Sequence, residues 1–266
     1  REWLTEHVSK LITAQGIDLY RQDFNMDPLG SWRQNDAPDR QGITENHHIT
    51  GYLAFWDELL RRHPGLLIDS CASGGRRNDL ETMRRSVPLW RTDFRLDPVG
   101  TQCHSYGISF WLPLSGTGTG SYAAYDFRSN MSPLLNCIWD VRIKDADYEL
   151  MRRLCEQFRQ VADCYLGDFY PLTPYSLENT SWLGWQFDRP DLGSGMVQVF
   201  RRSESIYKAA DLRLSGLDPE ARYRVRNLDS PDADILTGRQ LMSAGVAIVL
   251  NDRPSAAVIR YEKIGE

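Results

Sequence analysis

The sequence predicts an α/β chain in which a parallel sheet of alternating helices and strands gives way to an antiparallel β-sandwich. Three observations predict it. Helical and strand periodicities alternate from residue 2 to about residue 165, the pattern of parallel strands joined by right-handed crossovers. Two of the strand-like stretches end in an aspartate, Asp23 and Asp93, at the end of the strand where parallel sheets collect their chemistry. Across residues 167–174, which include Pro171 and Pro174, the helical period is lost, and short alternating runs replace it.

Residues 2–15 place Trp3, Leu4, Val8, Leu11 and Ile12 at helical spacing, and Gly16 supplies the stop. The stretch from Ile17 to Asp27 reads as a short strand that presents Asp23, and a long loop is expected over residues 28–42. A helix follows from Thr44-Glu45, with Tyr52, Leu53, Phe55, Trp56, Leu59 and Leu60 on its apolar face; His63-Pro64-Gly65 ends it. Residues 66–71 are a second strand, 72–76 a tight glycine turn, and Asn78 is the expected cap of the next helix. Residues 87–93 read as a third strand ending at Asp93 and residues 109–114 as a fourth, with a short helix between them around residues 101–106. The run Ser115-Gly116-Thr117-Gly118-Thr119-Gly120 reads as flexible; it lacks the Lys-Ser/Thr ending of a phosphate loop. A last parallel strand is expected within residues 121–140 and an amphipathic helix over residues 145–165. From 175 to 266, runs such as Met196-Val197-Gln198-Val199-Phe200 and Val246-Ala247-Ile248-Val249-Leu250 predict an all-β module, with no helix expected between 180 and 260.

Composition excludes several functions. With a formal net charge of −5 and no dense Lys/Arg run, the chain has no footprint for nucleic acid. No apolar run reaches the ~20 residues that span a bilayer, so no membrane partner is expected. The five cysteines follow neither a disulfide nor a zinc pattern, which predicts reduced thiols in a cytoplasmic enzyme; Cys103, Cys137, Cys155 and Cys164 read as small buried hydrophobes. No metal or other cofactor is expected, because His47 and His48 are adjacent rather than one helical turn apart. Eight Trp and twelve Tyr exceed what a stable core requires, and flat aromatic faces suit sugar.

Two carboxylates on strands one βα unit apart suit glycoside cleavage, which needs one group at the anomeric carbon and another to protonate the leaving oxygen. Residues two apart share a strand face, so Arg21 lies beside Asp23, Arg91 beside Asp93, and Asp69, Cys71 and Ser73 point together. Arg21 is expected to keep Asp23 ionised, and Trp90 and Phe94 to raise the pKa of Asp93. Structural ion pairs at sheet ends would give the same pattern.

The segments Tyr20-Arg21-Gln22-Asp23-Phe24-Asn25, Asp69-Ser70-Cys71-Ala72-Ser73-Gly74-Gly75-Arg76 and Trp90-Arg91-Thr92-Asp93 resemble, in order and spacing, the motifs of the melibiase-type α-galactosidases of glycoside hydrolase family 36. The resemblance implies strands four to eight of a (β/α)8 barrel over residues 1–170 and a C-terminal antiparallel β-sandwich over 175–266. It implies a retaining α-galactosidase acting on α-galactoside oligosaccharides, with Asp23 as nucleophile and Asp93 as acid/base. Arg21, Asn25, Cys71, Ser73, Gly74, Trp90 and Arg91 become the expected substrate-binding residues, and the full-length protein is allowed a homo-oligomeric state. Arg21, Gln22 and Phe94 stand where the family more often has Lys, Trp and Asn, which leaves N-acetylgalactosamine open as the sugar. A non-catalytic carbohydrate-binding relative is the reading of a different class; retention of both aspartates speaks against it. A whole barrel takes about 250 residues, so the first three strands are expected to lie outside this chain, and the chain alone is expected not to hydrolyse an α-galactoside.

Overall fold

The computed structural model describes residues 1–94 and 97–265, which fall into two compact units, Arg1–Asp93 and Phe94–Glu266.

In the first unit, α1 (Glu2–Gln15) ends at Gly16, whose left-handed conformation and N–H bond to the Ile12 carbonyl close the helix before β1 (Leu19–Asp23). The loop expected after Asp23 contains a seven-residue helix, α2 (Leu29–Asn35). Asp36, directly after α2, fixes the rest of the loop: its carboxylate accepts from Gly42 N (2.6 Å) and Thr44 N (3.0 Å) at the start of α3 (Ile43–Arg62). β2 (Leu67–Cys71) pairs with β1 in parallel register, Arg21 opposite Asp69 and Asp23 opposite Cys71. Ile12, Phe55, Trp56, Leu59, Leu66 and Ile68 pack between the helices and the strands. The cap of α4 (Leu80–Met83) is Asp79, which accepts from Thr82 N, rather than Asn78.

The strand expected over residues 87–93 does not form. Val87 makes one parallel bridge to Asp69, with Val87 N on Ile68 O and Ser70 N on Val87 O. Pro88 then has no N–H to offer, and Leu89 N turns to the Asp69 carboxylate at 3.0 Å.

In the second unit, Asp97 caps α5 (Pro98–Ile108) by accepting from Val99 N and Gly100 N. No strand forms at 109–114, because the N–H groups of Ser109, Trp111 and Leu112 are used on the last carbonyls of α5. The strand is β3 (Gly116–Thr119), the run expected to be flexible, and all four of its residues are buried. Small side chains suit a strand closed over on both faces. α6 (Ala124–Asn130) leads to β4 (Leu134–Cys137), parallel to β3, and α7 (Tyr148–Val161) runs into a 3-10 turn, Ala162–Leu166.

The antiparallel part comprises β5 (Asp168–Pro171), β6 (Trp182–Arg189), β7 (Ser194–Arg201), β8 (Ala209–Leu212), β9 (Arg222–Asn227), β10 (Asp234–Thr237), β11 (Val246–Val249) and β12 (Ser255–Lys263). Six of these form one sheet in the order β10-β9-β12-β7-β6-β5, and β11 pairs with β8 in a second. Alternation separates two cores. Met196, Phe200 and Val258 face a cluster with Phe127 and Leu154, whereas Val197, Val199 and Ile259 face Leu212 and Ile248 of the smaller sheet. One short helix, α8 (Gly238–Ser243), interrupts the expected all-β run; Thr237 and Gln240 form a capping box at its start. No helix is long and apolar enough to cross a membrane among the described residues, which contain five free cysteines. Cys103 and Cys164 are buried as expected, but Cys137 is exposed and Cys155 half-buried.

Candidate active site

β1 alternates strictly. Tyr20 and Gln22 face α3, where Gln22 Oε1 accepts from Trp56 Nε1 at 2.9 Å; Arg21 and Asp23 take the other face and are exposed. Gln22 is therefore a link between strand and helix.

Arg21 sits between two carboxylates. Its Nη1 donates to Asp69 Oδ2, and its Nη2 lies 3.6 Å from Asp23 Oδ2. Burial works to lower the pKa of Arg21, and the hydrogen bond and charge of Asp69 outweigh it, so the guanidinium is held charged beside Asp23. Asp69 is only 3% exposed, and its second oxygen accepts from Leu89 N. One buried carboxylate thus ties β1 to the segment that carries Asp93.

The turn after β2 touches the backbone next to both aspartates. Cys71 is opposite Asp23 in the sheet, and Cys71 O accepts from Phe24 N at 2.9 Å. Burial pushes the Cys71 thiol up, and Asp23 adds to this while Arg21 opposes it; the thiol stays protonated at neutral pH. Ser73 adopts φ 48°, the only positive value at a non-glycine among the described residues. Asn25 Oδ1 secures it by accepting from Ser73 N (2.9 Å) and Ser73 Oγ (3.0 Å). Gly74 follows at φ 75°, and a Cβ there would lie 2.5 Å from Asp93 N. A Cβ on Gly75 would lie 2.3 Å from Arg91 O, the carbonyl that also accepts from Asn78 Nδ2 at 3.2 Å. Only glycine backbone fits between the turn and the backbone of residues 91–93.

Asp93 is exposed, and its Oδ1 accepts from Trp90 Nε1 at 2.9 Å. The Arg91 residue is buried. Between α2, α3 and the turn after β2, a cavity of about 510 Å³ is lined by Phe24, Trp32, Tyr52, Ala72, Arg76 and Arg77; neither Asp23 nor Asp93 lines it. The His48 ring meets Phe24 and Trp32 of its wall at a tilt, and burial together with Arg77 lowers its pKa.

The structure therefore brings Arg21 to Asp23, Asn25 to Ser73, Gly74 to Asp93 and Trp90 to Asp93. Three supporting residues are not singled out by sequence reasoning. Gln22 stands out in the sequence only as a departure from family usage, and Asn78 only as a helix cap. Asp69 carries the one available signal, a charge inside the otherwise apolar strand Leu67-Ile68-Asp69.

Parallel βα units, the first of which ends its strand at Asp23, followed by a β-sandwich, are the architecture of a barrel segment joined to a terminal β domain. Comparison with known families agrees. Residues 1–158 match the melibiase family, and residues 182–260 match the glycosyl hydrolase family 36 C-terminal domain. The chain belongs to the melibiase family. Its fold is part of a (β/α)8 barrel followed by an antiparallel β-sandwich. Among similar proteins, alpha-galactosidase AgaA of Geobacillus stearothermophilus is 25% identical over 265 residues, covering 93% of this chain and 35% of the relative. Alpha-galactosidase C of Emericella nidulans is 25% identical, covering 99% of this chain and 35% of the relative. The crystal structure of the alpha-galactosidase from Lactobacillus brevis superposes with a TM-score of 0.82 at 20% identity, over all of this chain and 38% of that one. The chain thus spans about a third of the length of the curated relatives it matches.

Proposed function

We propose that this chain supplies the catalytic pair of a retaining α-galactosidase, with Asp23 as nucleophile and Asp93 as acid/base. Residues 1–170 are the C-terminal portion of the barrel and 175–266 the terminal β-sandwich. The observation that carries the reading is the turn of residues 71–75, which meets β1 opposite Asp23 on one side and the backbone nitrogen of Asp93 on the other. Two carboxylates held on the flanks of one rigid turn suit double displacement, which needs them about 5–5.5 Å apart. The melibiase match supports it, as do relatives named alpha-galactosidase, one of which has been crystallised in complex with raffinose.

In this mechanism Asp23 attacks the anomeric carbon while Asp93 protonates the departing glycosidic oxygen. Asp93 then deprotonates the water that displaces Asp23, and the α configuration is restored. Arg21 sets its positive charge beside the attacking carboxylate, and the Trp90 indole orients Asp93. The Asn25 and Ser73 pair and the Cys71 thiol form the sugar-facing rim, with an α-galactoside oligosaccharide as substrate. The unbridged cysteines support a cytoplasmic location.

The test is a substrate panel on the full-length protein: p-nitrophenyl α-galactoside, α-N-acetylgalactosaminide, β-arabinopyranoside and α-glucoside. NMR of the first-formed product accompanies it. Highest kcat/KM on the galactoside with α-galactose as first product is expected. Preference for the glucoside overturns the sugar, and β-galactose as first product overturns the mechanism.

A further inference from the structure

The sheet face covered by α6 and α7 changes character toward one end. On β12, Ala256 and Val258 lie in the core beneath those helices, and the next residues of the same parity are Arg260 and Glu262. On β9, Tyr223 and Val225 point into the other core, which leaves Arg222, Arg224 and Arg226 on the face of Arg260. The register sets Arg260 directly opposite Arg226, and Glu262 opposite Arg224.

Like charges directly opposite each other destabilise a sheet, yet two guanidinium groups stand there. The nearby acid does not resolve it. Glu262 turns along its own strand to pair with Arg260, leaving Arg224 opposite a carboxylate already engaged. Arg226 Nη2 donates to a neutral acceptor, Gln160 Oε1, at 2.8 Å, and among the described residues neither Arg224 nor Arg226 has an ion-pair partner. Arg260 Nε is buried with no acceptor. Other acids of the region are directed elsewhere. Asp234 is opposite Val225 and shares its face, and Asp229 is taken by Arg128 and Gln157. Arg224, Arg226 and Arg260 line a cavity of about 460 Å³ with Glu262, Pro231 and Ala233. Three guanidinium groups against one carboxylate leave two positive charges.

We propose that Arg224, Arg226 and Arg260 form a binding site for a phosphate group, free or as a sugar ester. A phosphate carries about −1.5 to −2 charge at pH 7, which matches the surplus. Its oxygens accept from guanidinium forks in pairs, and its charge relieves the Arg226–Arg260 opposition. The site lies within the C-terminal β part and does not depend on the roles of Asp23 and Asp93.

Isothermal titration of the full-length protein with inorganic phosphate, against chloride at matched ionic strength, tests it. Saturable binding of one phosphate per chain is expected. Arg224→Gln, at an exposed position, should weaken binding about tenfold, the scale of one charge-assisted pair, with the Tm of the phosphate-free protein unchanged. Glu262→Gln should act in the opposite direction and tighten binding several-fold, because it raises the surplus from two charges to three; a purely structural role predicts no such gain. Galactose 6-phosphate in a parallel titration separates the two sources: tighter binding than phosphate assigns a sugar ester, equal binding the free ion. Absence of saturable uptake, a chloride response equal to that of phosphate, or binding unmoved by both variants overturns the proposal.

Discussion

β1 and β7 are both strands flanked by partners or helices, but they use polar residues in opposite ways. Along β1 every second residue is exposed, and the exposed set includes Arg21 and Asp23; seven of the eight residues of β7 are buried. Polar groups buried around β7 are consumed by the protein itself. Gln198 Oε1 accepts from both Tyr165 and Trp185, and Arg201 donates to the carbonyls of Leu250, Asn251 and Ser205. Around β1 the buried Asp69 holds up the exposed Arg21 on one side and the half-buried Leu89 backbone on the other. Buried polarity stabilises the sheet in one region and aims side chains in the other.

That contrast predicts that substitutions near β1 act on turnover and those near β7 on stability. The largest effect is expected from Asp23→Ala in the full-length protein. kcat should fall roughly 10,000-fold or more, even with activated aryl galactosides, while the Tm stays within about 1 °C because the side chain is exposed. Asp93→Ala sharpens the point. It should spare glycosylation by substrates whose leaving group needs no proton, and azide, taking the place of water in the second displacement, should rescue it with release of α-galactosyl azide. A common loss on all substrates without rescue would break the assignment of roles.

Gly75→Ala should come next. A methyl group 2.3 Å from Arg91 O must displace the segment leading to Asp93, and a shift of about 1 Å at a reacting group costs on the order of 100-fold in kcat. The accompanying stability loss should be about 1–3 kcal/mol in denaturant titration. Unchanged kcat with that stability loss would detach the turn from catalysis.

Tyr261→Phe probes the other region. The Tyr261 hydroxyl donates to Asp188 Oδ1 and accepts from Gln186 Nε2, all three residues being buried. Its removal should cost about 1–3 kcal/mol and leave kcat/KM unchanged.

The smallest effect is a pH dependence. Burial works to raise the pKa of Asp229, but the Arg128 hydrogen bond and charge outweigh it, so the net shift is downward. A carboxylate lowered in the folded state adds stability above its unfolded pKa and loses it as pH falls through the folded value. The Tm difference between wild type and Asp229→Asn should therefore be present at pH 7 and vanish below the ordinary carboxylate range. A difference that persists in acid would mean the Arg128 contact is not charge-driven.

Much of the fold was legible because hydrophobic period survives in single segments. α1, α3 and α7, the strands at Asp23 and Cys71, and the alternation of Met196 to Phe200 all follow from it. Other segments misled for identifiable reasons. The Gly-Thr run of β3 has no large apolar side chain to announce burial, and the apolar residues at 109–114 belong to the unwinding end of a helix. The 87–93 stretch has strand-like residues, but Pro88 and the pull of Asp69 on Leu89 stop the pairing after one bridge. At the candidate site, residue types and order were readable. The clearance of Gly75 and the clamp of Asn78 were not, since both depend on a chain segment about fifteen residues away.

The glycine pair has a consequence for how this site can diversify. Positions 74 and 75 adjoin the segment that ends in Asp93, yet neither can gain a side chain without moving that segment. Under the proposed function, adaptation to a new sugar is therefore closed at those two positions and open at the rim, at the exposed Arg76 first, because Ser73 is held at a positive φ by Asn25 and Cys71 is buried. Among descendants of this sequence, altered substrate preference should be recorded in the rim residues, and the two glycines should stay silent.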